Sequence, residues 1–145
     1  MSIRVAIVED EARIRVQLAK IINEEPGFSC LGTFSNGEDA LREISRQPPD
    51  VVLMDITMPG LNGLEAAARL TQESPHVRAI ILSMHNNEEY YWRALKAGAA
   101  GYLLKKAATA ELATAVQQVM RGEIYLSREI SARLLKKIPV QGIGD

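Results

Sequence analysis

The stretch that most constrains this chain is Asp50-Val51-Val52-Leu53-Met54-Asp55-Ile56-Thr57-Met58-Pro59-Gly60. Four apolar residues run straight into a carboxylate, and Pro59-Gly60 supplies a turn just beyond. A short unbroken apolar run bounded by breakers reads as a strand buried on both faces. In an open parallel sheet, ligands bind outside the carboxyl ends of the strands. Asp55 therefore stands at the rim of a cleft with its side chain available for chemistry. Asp also opens turns well, so this carboxylate alone does not separate a turn from a site.

The rest of the chain repeats the pattern. Ile3 to Val8 is a first apolar strand, followed by Glu9-Asp10-Glu11, where Asp10 can cap a helix. Ile14, Leu18, Ile21 and Ile22 then fall at helical spacing, until Glu25-Pro26-Gly27 breaks the helix. Phe28 to Phe34 is a weaker strand suited to a sheet edge. Ser35 with Glu38 fits a capping box for a second helix, which buries Ala40, Leu41 and Ile44 and stops at Pro48-Pro49. After the Asp55 strand, Asn62 and Glu65 open a helix through about Glu73. Val77 to Leu82 is a fourth strand, ending in Ser83. Asn86 and Glu89 are placed to cap a helix through Lys96, closed by Gly98. Gly101 to Lys105 is a short fifth strand. Thr109 is placed to cap a helix with the stripe Leu112, Val116, Val119 and Met120, closed by Gly122. Ser127 to Ile138 forms one more amphipathic helix, Pro139 ends it, and Gln141 to Asp145 is a loose tail. Strands alternating with helices at this spacing predict right-handed βαβ units and a parallel sheet between two helix layers.

The bulk properties exclude several classes. The chain has 145 residues, 47% hydrophobic and 24% charged, and a formal net charge of −1. That is enough length for one domain with a core, and the balanced charge offers no general attraction to nucleic acid or membrane. The single cysteine, Cys30, allows no internal disulfide and fits a reducing compartment. The N-terminus is charged too early for a signal peptide. No apolar run approaches the roughly 20 residues that span a bilayer. The expected location is the cytoplasm.

Polar residues recur at the exits of the apolar strands: Glu9 and Asp10 after the first, Asp55 at the third, Ser83 at the fourth and Lys105 at the fifth. Each has an ordinary alternative. The acids can merely cap a helix, Ser83 can bond backbone, and Lys105 can be a solvated charge. Their joint occurrence, in a fold that aims these ends at one crevice, favours a site.

On Val8-Glu9-Asp10-Glu11, Met54-Asp55 with Met58-Pro59-Gly60, Leu82-Ser83-Met84-His85 and Gly98-Ala99-Ala100-Gly101-Tyr102-Leu103-Leu104-Lys105, the chain resembles the receiver domain of two-component response regulators. Asn62-Gly63-Leu64-Glu65-Ala66 and the run through Lys106 are most similar to the NarL/FixJ (LuxR-type) subfamily. Tyr125-Leu126-Ser127 resembles that subfamily's exit from the receiver. The resemblance implies an α/β doubly wound, five-stranded parallel sheet, flavodoxin-like with order 2-1-3-4-5, five helices and a C-terminal linker helix. It implies a receiver over 1–122 and a linker helix and tail over 123–145, with a helix-turn-helix DNA-binding output domain expected beyond.

The resemblance makes Asp55 the phosphoacceptor for a sensor histidine kinase. Mg²⁺ (or Mn²⁺) is then expected on Asp10, Asp55 and the backbone carbonyl of Thr57, with Glu9 acting through water. Three acids brought together oppose one another's ionisation unless a cation is present, and Mg²⁺ takes such oxygen ligands. Lys105 is implied as the charge on a phosphoryl oxygen, Ser83 as its hydrogen-bond partner, and Tyr102 as an aromatic switch turning inward as Ser83 moves. Pairing of two copies on phosphorylation is an expected option. No DNA binding by this chain alone is expected, and no enzyme activity beyond its own phosphoryl transfer and dephosphorylation.

Three positions depart from the family pattern. Glu9 stands where many relatives have Asp, Lys106 where many have Pro, and the bulky Met84 where smaller residues are frequent, which bears on access to the site. Tyr90-Tyr91-Trp92 cannot all face inward, and partial burial competes with a partner surface there. His85 is placed to reach the site's mouth, and His76 sits in a surface turn. The alternative functions are a stand-alone receiver acting as phosphate shuttle or adaptor, an aspartyl phosphatase and a flavin carrier. A phosphatase expects a second acid at the Thr57 position. A flavin carrier expects a hydroxyl-rich loop where Glu9 and Asp10 stand.

Overall fold

The apolar runs that end in polar residues become the strands of one sheet. The computed structural model describes residues 2–58 and 60–137. In chain order the elements are β1 (Ile3–Val8), α1 (Ala12–Glu24), β2 (Phe28–Phe34), α2 (Gly37–Arg46), β3 (Val51–Asp55), α3 (Gly63–Glu73), β4 (Arg78–Ser83), α4 (Glu88–Lys96), β5 (Gly101–Leu104), a 3₁₀ turn (Lys105–Ala107), α5 (Ala108–Met120), β6 (Tyr125–Leu126) and α6 (Arg128–Lys136). Pro59, Ile138, Pro139 and the tail lie outside the described residues.

The sheet order is β2-β1-β3-β4-β5-β6, with every neighbouring pair parallel. Among the described residues the five-stranded expectation is corrected to six strands, and the α-helices number six with the C-terminal one. Gly122, at φ +83, turns the chain after α5. Tyr125 N then donates to Ala100 O at 3.0 Å and Ser127 N to Tyr102 O at 3.0 Å, which lays β6 along β5. Adding a strand covers the backbone edge that β5 would otherwise expose. A two-residue strand has no periodicity to read, so the sequence concealed it.

Side chains alternate between two faces, and each face is roofed by helices. Val5, Ile7, Leu53, Ile80 and Leu82 pack with Leu18 and Ile22 of α1 and Leu112, Val116 and Val119 of α5. Ala6, Val8, Val52, Met54, Ile81, Tyr102 and Leu104 pack with Ile44 of α2, Leu70 of α3, Tyr91 of α4 and Ile130 of α6. The faces meet at β3, whose five residues are all buried.

Helix starts are where local rules failed. Asn62 Oδ1 accepts from Glu65 N at 3.0 Å, as expected. The cap of α2 is Asn36, accepting from Asp39 N at 2.8 Å, and not Ser35. The N-cap of α1 is Glu11 rather than Asp10, that of α4 is Asn87 rather than Asn86, and α5 begins at Ala108 out of the 3₁₀ turn, without Thr109 as its cap. Asn86 is taken by α6, where its amide donates to Glu129, and α5 runs straight out of the 3₁₀ turn. Ser127 is likewise taken at the start of α6: its Oγ accepts from Leu104 N at 2.9 Å and ties the helix to β5.

Candidate functional site

Parallel strands bring all their carboxyl ends to one rim, so the residues following β1, β3, β4 and β5 become neighbours. At the mouth of that rim Gly63 begins α3, and a side chain there has no room: a Cβ would lie 2.0 Å from the Asp55 backbone oxygen. The helix thus starts directly against the end of the Asp55 strand.

Glu9, Asp10 and Asp55 converge, with one carboxylate oxygen of each within 4.8 Å of the others. Glu9 and Asp55 are buried, while Asp10 faces solvent. Lys105 Nζ sits 3.0 Å from Glu9 Oε1 and 3.1 Å from Asp55 Oδ1. Glu9 Oε2 accepts from Glu11 N at 3.0 Å, while Oε1 is buried with only the ion pair to Lys105 and no well-aligned hydrogen bond. Asp55 Oδ1 also accepts from Thr57 N, a long bond at 3.3 Å.

The electrostatics follow from this crowding. Burial first, and the Glu9 charge second, push the Asp55 carboxyl up to about 7, although Lys105 pulls the other way. Burial also raises the Asp10 carboxyl, but hydrogen bonding with Glu9 and Asp55 and the Lys105 charge bring it below the usual carboxylate range. Burial lowers the Lys105 ammonium, and its two acidic partners more than offset that, so it stays charged. One ammonium against three carboxylates leaves an excess of negative charge, with oxygen donors grouped closely enough for one small ion. This donor set fits a hard divalent cation.

A cavity of about 210 Å³ opens over Asp55, lined also by Ile56, Thr57, Met84, His85 and Lys105. Met84 stands at its rim with 79% of its surface exposed, so its bulk screens the entrance rather than filling the cavity. A larger, mostly apolar crevice of about 360 Å³ lies on the other side of Lys105, between α1 and α5.

Ser83 is fully buried, and its Oγ accepts from His85 N at 2.9 Å. The hydroxyl still has a proton to donate. Tyr102 lies fully inward, with its hydroxyl donating to His85 O at 2.7 Å. That inward position is the one the resemblance assigned to the switched form. His85 does reach the mouth, stacked on Tyr90 with ring centroids 4.1 Å apart. Tyr91 is the buried aromatic of α4, and Trp92 is 48% exposed. No cis peptide bond occurs among the described residues, in keeping with Lys106 after Lys105.

Two features escaped the sequence. Arg15 Nη1 donates to Glu9 O at 2.7 Å and holds the turn that carries the acidic pair. Its position on the first helical turns after Asp10 was the only signal. Asn86 reaches residues of α6, a contact 43 and 47 positions away in sequence, which no local pattern reveals.

A doubly wound parallel sheet with an acidic cluster and a lysine at its carboxyl rim is the frame of a receiver domain. Residues 5–117 match the response regulator receiver domain family, and the chain belongs to it. Its relatives place it among the NarL/FixJ (LuxR-type) receivers. It is 37% identical over 135 residues to the transcriptional regulatory protein DegU of Brevibacillus brevis, covering 93% of this chain and 57% of that protein. It is 35% identical over 132 residues to the response regulator UvrY of Escherichia coli (strain K12), covering 91% and 61%. Among solved structures, a LuxR-family two-component response regulator from Aurantimonas sp. SI85-9A1 has a TM-score of 0.88 at 28% identity, covering 94% of this chain and 98% of that one. The receiver domain of NarL from Mycobacterium tuberculosis has a TM-score of 0.80 at 30% identity, covering 84% and 98%. The chain spans about three fifths of the length of the curated relatives it matches. The family binds Mg²⁺ at an acidic pocket, and in this chain Glu9, Asp10 and Asp55 form an acidic cluster. No described helix is long and apolar enough to cross a membrane.

Proposed function

We propose that this chain is the phosphorylation switch of a transcription regulator, with Asp55 as its phosphoacceptor. One observation carries this: a buried carboxylate at a strand end, crowded by two more acids and held by a lysine. Asp55 Oδ attacks the phosphorus of a phosphohistidine on a sensor histidine kinase. The P–N bond breaks, its electron pair stays on the imidazole, and an aspartyl phosphate forms. In a second, separate step water attacks the phosphorus, the P–O bond to Asp55 breaks, and Asp55 leaves as carboxylate with inorganic phosphate released. The chain catalyses only these two steps, on itself.

Glu9, Asp10, Asp55 and the backbone carbonyl of Thr57 would hold Mg²⁺ or Mn²⁺, Glu9 through water. A bound divalent ion supplies charge neutralisation for the transferring phosphoryl group. Lys105 is a point charge for another phosphoryl oxygen. Ser83 keeps His85 N as a donor to its lone pair and gives its own proton to the phosphoryl group. Both bonds are compatible, so phosphorylation fastens the β4–α4 loop that Tyr102 already braces from within.

The receiver is read as residues 1–122, with 123–145 as the connection to a helix-turn-helix output domain, although β6 pairs with β5 and Ile130 of α6 packs in the receiver core. The relatives' names favour transcription control over a stand-alone phosphate shuttle: DegU is a transcriptional regulatory protein. Pairing of two receivers on phosphorylation and a cytoplasmic location belong to the same proposal. The experiment is chemical mapping. After incubation with acetyl phosphate and Mg²⁺, borohydride reduction should convert Asp55 alone to homoserine. Homoserine at another aspartate, with Asp55 intact, would overturn the assignment.

A further inference from the structure

The C-terminal helix does more than leave the receiver. Its Glu129 and Arg133 bracket Asn86 in the loop after β4. Asn86 Nδ2 donates to Glu129 Oε2 at 2.8 Å, and Arg133 Nη1 donates to Asn86 O at 2.7 Å. Glu129 Oε1 is also paired with Lys106 at 2.6 Å, one residue beyond the site lysine, and Lys137 is paired with Glu88 at the start of α4. Beneath this polar clasp Ile130 is fully buried in the same cluster as Tyr91 and Tyr102. Ser127, at the entrance to α6, donates its N–H to Tyr102 O at 3.0 Å.

The clasp therefore grips the loop that joins Ser83 to α4. His85 of that loop takes the Tyr102 hydroxyl, and His85 N in turn holds Ser83 Oγ. A continuous set of bonds runs from the phosphoryl end of the site to α6. We infer that seating of α6 on the β4–α4 loop is coupled to the phosphorylation state of Asp55, so that phosphorylation tightens the exit helix and fixes the direction in which the chain leaves the receiver. This rests on Asp55 being the phosphoacceptor. A group that stabilises one arrangement of the loop stabilises everything packed on it. Coupling of this kind is reciprocal, so α6 seated on the loop must also favour the loaded site by the same factor.

The test uses the whole chain. Hydrogen exchange of the α6 amides is measured with and without beryllofluoride and Mg²⁺, and loading at Asp55 is read separately by fluorine NMR of the bound adduct. The expected result is exchange slowed by roughly fivefold, the low end of ordinary coupling. Glu129→Ala, which leaves every site residue in place, should weaken beryllofluoride affinity by the same factor. Glu123→Ala is the control, since it removes only an exposed pair with Arg121. Loading with α6 exchange unchanged or faster overturns the coupling and leaves the Asp55 assignment standing. Unchanged beryllofluoride affinity in Glu129→Ala also overturns the coupling. No loading at all overturns both.

Discussion

At the scale of single residues, the site is a problem of like charges solved by position. Asp55 is buried beside Glu9, and its carboxyl sits at about 7 against an ordinary 3.8. In the metal-free protein the folded chain thus binds a proton that the unfolded chain releases. The stability from that proton is complete below about pH 4 and is lost as pH rises through about 7. Asp55→Asn removes this loss, so its melting temperature should fall less than that of the wild type between about pH 5 and pH 8. Parallel melting curves for the two proteins across that window would contradict the electrostatic account. Asp10 is the exposed member of the cluster and the one best placed to meet an entering ion. Asp10→Asn should weaken Mg²⁺ affinity by about tenfold or more, the low end of what losing even an outer partner of a metal site costs. A calorimetric titration checks this, and an unchanged dissociation constant would remove Asp10 from the metal site.

At the scale of elements, long periodic segments were legible and their ends were not. Four strands announced themselves because each is an apolar run closed by a polar residue, and the weaker Phe28 to Phe34 strand lies at the edge as its mixed composition suggested. The site was legible for the same reason: Glu9, Asp10, Asp55, Ser83 and Lys105 all follow such runs. The α4 cap failed because a tertiary bond took the side chain: Asn86 reached α6 and left the start to Asn87. The β6 strand failed because register with β5, not composition, makes it a strand. Two substitutions separate these cases. Asn62→Ala should cost about 1 kcal/mol by uncapping α3. Ile130→Ala should cost about 2–5 kcal/mol by emptying a fully buried position under α6. Chemical denaturation reads both, and a cost under about 0.5 kcal/mol for Ile130→Ala, no more than an ordinary surface substitution, would mean that α6 is not part of the folded receiver.

At the scale of the whole molecule, a parallel sheet gathers three carboxylates, a hydroxyl and an ammonium at one rim and leaves its two faces to packing. The described helices cover those faces, α6 among them through Ile130. No described pair of helices is left to enter a DNA groove, and the net charge of −1 gives no general pull toward a polyanion. A low-salt titration with promoter DNA should show no sequence-selective binding by these 145 residues, phosphorylated or not. Tight selective binding would place the output within the receiver itself. The central claim is that Asp55 is a metal-assisted phosphoacceptor, and intact mass spectrometry after incubation with acetyl phosphate tests it most directly. The wild type should gain one phosphoryl group with Mg²⁺ and none with chelator, and Asp55→Asn should gain none. A phosphoryl group on Asp55→Asn at the wild-type rate would contradict it.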